Sequence, residues 1–352
     1  MTKKRLRIVI TSLPRGCIPP ITYGGIERLV SVLVYGLIER GHEVHLFAHP
    51  DSKAPVKLIP YKENKKSLFC DAMLKALQIR DYVQRLGDVD FVLNFSRLAH
   101  LLFIMRLPVL KIHSYHLPIT PRSVRLGILL GGKSLVFTAC SNSHAGPVSF
   151  AGAQVVIVPN GVPITTYTFN PYVPSDAPLV FLGRIQQDKG PHIAIKVAKR
   201  AGRELIIAGF HDASGRQYEY FTKEVLPYID GKAVKYIGLV NDTQKNELLG
   251  NASALLFPIQ WDEPFGLVMI EALACGTPVI SFRRGAIPEV IKHKETGFVC
   301  DSIDDMLDAV KNINSINRAR CRQEAEERFS DKAVVERYEQ LYYDHIKKME
   351  ND

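Results

Sequence analysis

The chain has 352 residues, 46% of them hydrophobic and 23% charged, and a formal net charge of +9. At roughly 100–200 residues per domain this predicts two globular domains and excludes disordered, collagenous and coiled-coil chains. No apolar run reaches the ~20 residues of a membrane span. The basic start MTKKRLRIVITS has no small-residue cleavage site, and Cys17, Cys70, Cys140, Cys275, Cys300 and Cys321 show no CxxC spacing, which points to a reducing cytoplasm without disulfides or zinc.

The first half opens on a buried-strand pattern, RLRIVI, then a Pro/Gly-rich loop, then a helical pattern, IERLVSVLVYGLIERG, and a strand, HEVHLFA. A helix over 72–86 follows, then strands DFVLNF, PVLKIH, SLVFTACS and QVVIVPNGV. Such strand–helix alternation with apolar strands predicts a parallel sheet covered on both faces. A Pro-rich linker, TTYTFNPYVPSDAP, precedes a second alternation: PLVFLGR, GPHIAIKVAKRAG, ELIIAG, VKYIG, ALLFP, EPFGLVMIEALACG and TPVISF. A helix over 303–313 and a charged helical tail close the chain. Two consecutive α/β units predict a twin Rossmann-like architecture with its ligand in the cleft between them.

The strongest chemical signal is WDEPFGLVMIEALACGTPVI. Pro264 suits the first turn of a helix. On one helix Glu263 and Glu271 stand about 12 Å apart at 1.5 Å per residue. Carboxylates flanking a single scissile bond need roughly 5–9.5 Å, so this spacing suits opposite ends of one elongated ligand. Between them Phe265, Gly266, Leu267 and Val268 offer backbone N–H groups to an anion, and Gly266 admits close approach. Two helix glutamates, one complementing the dipole, would explain that pair taken alone. GRIQQDKG changes the balance by placing Arg184 and Lys189 at the carboxyl end of a strand, where two cations hold a diphosphate. YGGIE adds Gly24 and Gly25 at a helix start and matches neither GxGxxG nor a Walker sequence.

GRIQQDKG, the Glu-x7-Glu spacing of EPFGLVMIE, EALACGTPVISFRRGAIPEVI and TGFVC resemble the donor-binding domain of family 4 retaining glycosyltransferases, which have the GT-B fold. YGGIE, ACSNS and VPNGV extend the resemblance over most of the first half. The resemblance implies an acceptor-binding Rossmann-like domain over 1–168, a nucleotide-sugar domain over 169–330, and a last helix, about 331–352, crossing back onto the first. It implies that Arg184 and Lys189 hold the donor diphosphate with the backbone at Gly24 and Gly25, that Glu263 contacts the transferred sugar, and that Glu271 accepts the ribose hydroxyls. Phe265 to Val268 would line the sugar and phosphate pocket, and the base would lie near Gly209 and Leu239. A functional histidine is implied after the strand PVLKIH: His113, taken to be at the strand end, with His116 as the alternative.

The implied reaction is sugar transfer with retention, from a nucleoside-diphosphate sugar (UDP preferred) to a glycan, lipid-linked or small-molecule acceptor. Neither metal nor cofactor is implied. A nucleotide-sugar epimerase or phosphorylase and a non-catalytic sugar-nucleotide-binding subunit are the alternatives. A nucleic-acid binder is not supported, because basic residues are not interleaved with aromatics. Charge sharpens the acceptor: residues 1–170 carry 21 Lys/Arg against 9 Asp/Glu, and residues 171–352 carry 24 against 27. The basic half points to an anionic acceptor or an anionic membrane face, with Arg122 and Arg125 beside LGILL as the interfacial patch.

Overall fold

The computed structural model describes residues 4–20, 24–62, 67–117 and 119–351. The chain divides into two compact units, Met1–Gly161 with Asp331–Asp352, and Val162–Ser330. Residues 162–168, placed with the first domain on sequence grounds, pack in the second unit; Val162 N donates to Phe329 O and Tyr167 Oη to Glu271.

Among the described residues, seven parallel strands form the sheet of the first unit: β1 (Arg7–Thr11), β2 (Glu43–Ala48), β3 (Lys57–Pro60), β4 (Phe91–Asn94), β5 (Leu110–Tyr115), β6 (Leu135–Ala139) and β7 (Val155–Ile157). Their order is β3-β2-β1-β4-β5-β6-β7. Six form the second: β8 (Leu179–Leu182), β9 (Leu205–Ala208), β10 (Val234–Gly238), β11 (Ala254–Phe257), β12 (Val279–Phe282) and β13 (Gly297–Cys300). These run β10-β9-β8-β11-β12-β13, again all parallel. Both units are thus the Rossmann-like α/β folds that the alternating pattern predicts. Ile8, Val9 and Ile10 in β1 and Leu179, Val180 and Phe181 in β8 are fully buried, as strands covered on both faces must be.

In each sheet the winding reverses beside the unit's first strand. The switch point therefore lies at the carboxyl ends of β1 and β4 in one unit and of β8 and β11 in the other, where open α/β sheets bind ligands.

The last helix, Asp331–Asn351, belongs to the first unit. Val334, Val335, Tyr338 and Tyr342 enter the core formed by β1, β2 and the helix Gly25–Glu39. Each such apolar burial contributes about 1.5–3 kcal/mol. Glu339, fully buried, fixes the docking by accepting from Arg40 Nε at 2.9 Å and His42 Nε2 at 2.6 Å. His42 Nδ1 accepts the Leu6 N–H at 3.1 Å, so its proton sits on Nε2 and completes the bond to the carboxylate.

Three elements differ from the sequence reading. β3 is a half-exposed edge strand whose four residues show no alternation. The segment containing LGILL is a helix, Pro121–Gly131, that buries Val124, Gly127 and Gly131. The helix expected to begin at Pro264 begins instead at Leu267, because Gly266 takes the left-handed conformation at its N-cap.

Candidate functional site

In the second unit, the loops leaving β8 and β11 carry the chemistry. Gln260 ties them together, its N–H donating to Asp188 O at 2.8 Å and its amide to Gln187 O at 2.6 Å. This brings Lys189 to Glu263 with a Nζ–Oε2 distance of 2.7 Å. Trp261 Nε1 donates to the same Oε2 at 3.1 Å, and the ammonium stands 5.0 Å from the Trp261 ring centroid. Glu263 Oε1 accepts nothing among the described residues, and two of the three Lys189 protons remain available. The pair is nearly buried, with each side chain 12% exposed.

Arg184 follows β8 directly. Its Nε is buried and meets no acceptor among the described residues. Only this one donor of a half-buried guanidinium is cut off from water, and an incoming acceptor, best an anion, would satisfy it.

Because the helix starts at Leu267, Glu263 lies before it and Glu271 within it, and the 12 Å axial spacing does not describe the pair. Gly266 has φ +81°, a left-handed conformation that favours glycine at this N-cap. Leu267 and Val268, both half-buried, open the helix with N–H groups that have no partner within it. The Phe265 side chain turns into the core, 3% exposed and edge-on to Phe329, leaving its backbone to the site.

Glu271 is buried and anchored at one oxygen: Lys245 Nζ at 2.6 Å and Tyr167 Oη at 2.9 Å both donate to Oε1. Gly209 and Gly238 meet at the carboxyl ends of β9 and β10 through a Gly209 N–Gly238 O bond of 2.8 Å. A Cβ at Gly209 would lie 1.8 Å from Gly183 O, so strand packing by itself demands glycine there. Leu239 is exposed beside them, and the His211 ring stacks on Phe221 with centroids 3.9 Å apart.

The first unit fills its switch point differently. Asn94 Oδ1 accepts from Thr11 Oγ1 at 2.6 Å, Ser96 Oγ at 2.7 Å and the Ser96 backbone N–H at 3.1 Å. Its Nδ2 therefore faces Arg97 O at 3.3 Å and His113 Nδ1 at 2.8 Å. The backbone groups, an obligate donor and an obligate acceptor, fix the amide orientation. His113 Nδ1 is consequently an acceptor, and the neutral ring carries its proton on Nε2. Burial holds the His113 pKa at about 4. His113 thus presents an N–H donor at neutral pH and is no base at Nε2. It lies within β5, which continues to Tyr115, rather than at its end.

His116 has a structural environment. It stacks on Phe95, bonds Ser114 Oγ at 2.9 Å, and Ser114 in turn meets Tyr338 Oη at 2.9 Å. Burial lowers its pKa to about 3. At the helix Gly25–Glu39, Gly24 is the N-cap, and the Glu27 carboxylate lies against it: a Cβ on Gly24 would stand 2.7 Å from Glu27 Oε2. A carboxylate already complements that helix start, so a phosphate at Gly25 would meet negative charge. Tyr23 of YGGIE lies outside the described residues.

The motifs thus place Arg184, Lys189 and Glu263 on two loops tied together, with Glu271 on the helix that follows. They do not reveal Trp261, Tyr167, Lys245 or Asn94. Tyr167 and Lys245 lie 104 and 26 residues from Glu271, and nothing in their local pattern marks them.

Residues 23–166 match the family model described as Glycosyltransferase Family 4, and residues 172–334 that described as Glycosyl transferases group 1. The chain is 30% identical over 155 residues to a glycogen synthase of Mycobacterium tuberculosis, a match covering 42% of this chain and 36% of that protein. It is 28% identical over 333 residues to a D-inositol 3-phosphate glycosyltransferase of Pseudarthrobacter chlorophenolicus, covering 79% of this chain and 78% of the relative. The match spans only about a third of the length of the glycogen synthase and of several other curated relatives. Among solved structures, Anabaena Alr3699/HepE in complex with UDP and glucose superposes with a TM-score of 0.72 at 17% identity, covering 97% of this chain and all of that one. The two parallel sheets and such neighbours give the fold as GT-B. The chain is built from the two domains of a family 4/group 1 glycosyltransferase, a Glycosyltransferase Family 4 domain followed by a Glycosyl transferases group 1 domain.

Proposed function

We propose that the chain is a retaining glycosyltransferase (EC 2.4) that moves a sugar from a nucleoside-diphosphate sugar, UDP preferred, to an acceptor held by its first domain. The observation that carries this reading is the Arg184 guanidinium at the β8–β11 switch point, with a buried donor and no protein acceptor. On the same pair of tied loops Lys189 keeps two free protons, and the helix at Leu267 opens its N–H groups. A diphosphate satisfies all three. Glu271 accepts the ribose hydroxyls, and Glu263 Oε1 takes a sugar hydroxyl near the reacting carbon. His113 donates from Nε2.

The bond from the anomeric carbon to the diphosphate breaks, and the bond to the acceptor oxygen forms on the same face. The acceptor proton passes to the departing phosphate oxygen. Arg184 and Lys189 stabilise the charge growing on that phosphate without a metal. The alternative of a non-catalytic subunit is disfavoured because Lys189, Glu263 and Glu271 are all present.

The acceptor side is basic. The first unit holds 25 Lys/Arg against 15 Asp/Glu, the second 20 against 21, and no acid occurs between Asp90 and Asp176. On the helix Pro121–Gly131 the exposed Arg122, Arg125, Leu126 and Leu129 share one face, which suits an anionic membrane surface and a lipid-linked or anionic acceptor at the cytoplasmic side. No helix among the described residues is long and apolar enough to cross a membrane.

Thermal unfolding against UDP, GDP, ADP and inorganic pyrophosphate tests the donor. One nucleoside diphosphate at about 100 Kd should raise Tm by roughly 5 °C or more. No shift with any of them at millimolar concentration would overturn the reading. Sedimentation with anionic and neutral vesicles tests the surface. Binding to the anionic ones alone, reversed by salt, is expected; indifference to lipid charge returns the excess to ordinary surface chemistry.

A further inference from the structure

Two carboxylates in the second unit are held by the same device. At Glu263 a lysine (Lys189) and an aromatic donor (Trp261) share one carboxylate oxygen, and the lysine lies over the aromatic ring. At Glu271 Lys245 and Tyr167 do the same: both donate to Oε1, and the Lys245 ammonium stands 5.5 Å from the Tyr167 ring centroid. The sequence places these three residues on separate elements, and the fold holds them rigidly. Lys245 lies on the helix Asp242–Gly250, with Asp242 Oδ1 3.3 Å from its Nζ. Arg322 clamps the Tyr167 carbonyl at 2.8 Å and the Ala274 carbonyl at 2.6 Å, fastening Tyr167 to the end of the helix that carries Glu271. Side-chain exposure is 10% for Lys245 and 7% for Glu271.

A carboxylate with one oxygen taken by two donors cannot turn about its terminal bond without breaking both. Its second oxygen, Glu271 Oε2, accepts nothing among the described residues and is the one left for a ligand. The Lys245 charge also offsets the cost of keeping an ionised group this deeply buried. We propose that Lys245 and Tyr167 are positioning residues that hold Glu271 with Oε2 presented to the ribose hydroxyls, and so set the preference for a ribonucleotide over its 2′-deoxy form. The inference rests on the ribose role of Glu271 proposed above. Preorganisation of this kind contributes affinity without adding a contact, because the ligand no longer has to order the carboxylate.

The test is calorimetric binding of UDP, GDP and ADP and of their 2′-deoxy counterparts to the full chain. Wild type is expected to prefer the ribo form of its nucleotide by ~10-fold or more, as a site built for a hydroxyl penalises its absence. Lys245→Met should bring the ratio close to one while affinity for the deoxy form stays within about twofold, and Tyr167→Phe should reduce the ratio partway. Lys245→Arg restores most of the ratio. A merely structural role would weaken both nucleotides equally. Should Lys245→Met fold poorly, Tyr167→Phe reads the same ratio with a single hydroxyl removed. An unchanged ratio in Lys245→Met and Tyr167→Phe, alongside its loss in Glu271→Gln, would overturn the positioning role alone. A ratio that survives Glu271→Gln would overturn the ribose assignment beneath it.

Discussion

At the carboxyl ends of β1 and β4 the polar groups are neutral and most satisfy one another: Thr11, Ser96 and His113 converge on Asn94, and Ser96 Oγ meets His100 Nδ1 at 2.8 Å, while the buried Ser12 hydroxyl has no partner among the described residues. At the carboxyl ends of β8 and β11 they are ionic and incompletely paired, with Lys189 on Glu263 and Arg184 on nothing. Topology gives both units the same ligand-binding position, yet the chemistry at the two is opposite. A neutral, mutually bonded network is stable without a ligand and presents fixed hydrogen-bond donors. A buried N–H without a partner, as at Arg184 Nε, is costly until an acceptor arrives. Under the proposed function, the ionic switch point is the one that takes the diphosphate.

The largest effect should come from the ionic side. Arg184→Met and Lys189→Ala should each lower turnover by about 10²–10³-fold, the usual cost of removing a donor that stabilises developing charge. Thermal unfolding of Arg184→Met without ligand should leave Tm unchanged or slightly raised, since the lost charge had no partner. Near wild-type rates in both variants would erase the distinction between the two switch points.

On the neutral side, Asn94→Ala should cost about 2–3 kcal/mol in urea unfolding, because it orphans buried partners on three strands and loops. A loss under 0.5 kcal/mol would contradict the mutually bonded network.

The histidines supply a pH test. Burial holds His113 and His100 at about 4 and His116 at about 3, below the ordinary 6.5. Their folded pKa values are depressed, so their contribution is complete above pH 6.5 and declines as pH falls toward 4, where the unfolded chain takes up protons that the folded one refuses. Each costs roughly 1.4 kcal/mol per pH unit across that window. His113→Gln should flatten the stability slope between pH 6.5 and 5 by about that amount; an unchanged slope would mean that His113 titrates normally.

Trp261→Phe, which removes one of two donors to Glu263 Oε2, should lower turnover several-fold, about 1 kcal/mol. A loss as large as that of Lys189→Ala would mean that the indole, rather than the ammonium, positions the carboxylate.

The Arg184, Lys189 and Glu263 cluster is legible because its parts are local: GRIQQDKG and EPFGLVMIE each compress a loop, a cation or carboxylate and a glycine into a few residues. The parallel strands were readable because burial on both faces leaves near-continuous apolar runs. Asn94 was not, since FVLNF reads as an ordinary strand and only the neighbours Thr11 and His113, brought alongside by the sheet register, give its amide a role. Tyr167 sat in what reads as a linker, and Lys245 in a polar helix with no mark of function. The helix start at Leu267 is not legible in the sequence, because Pro264 carries a strong first-turn signal, which the left-handed Gly266 overrides.

Whether the β8–β11 switch point is a diphosphate site completed by Arg184 is decided by titrating the preferred nucleoside diphosphate into wild type and Arg184→Met by calorimetry. An affinity loss of ~30-fold or more is expected in the variant, with the corresponding nucleoside, which lacks the diphosphate, bound equally by both proteins. Equal affinity of both proteins for the diphosphate would contradict it.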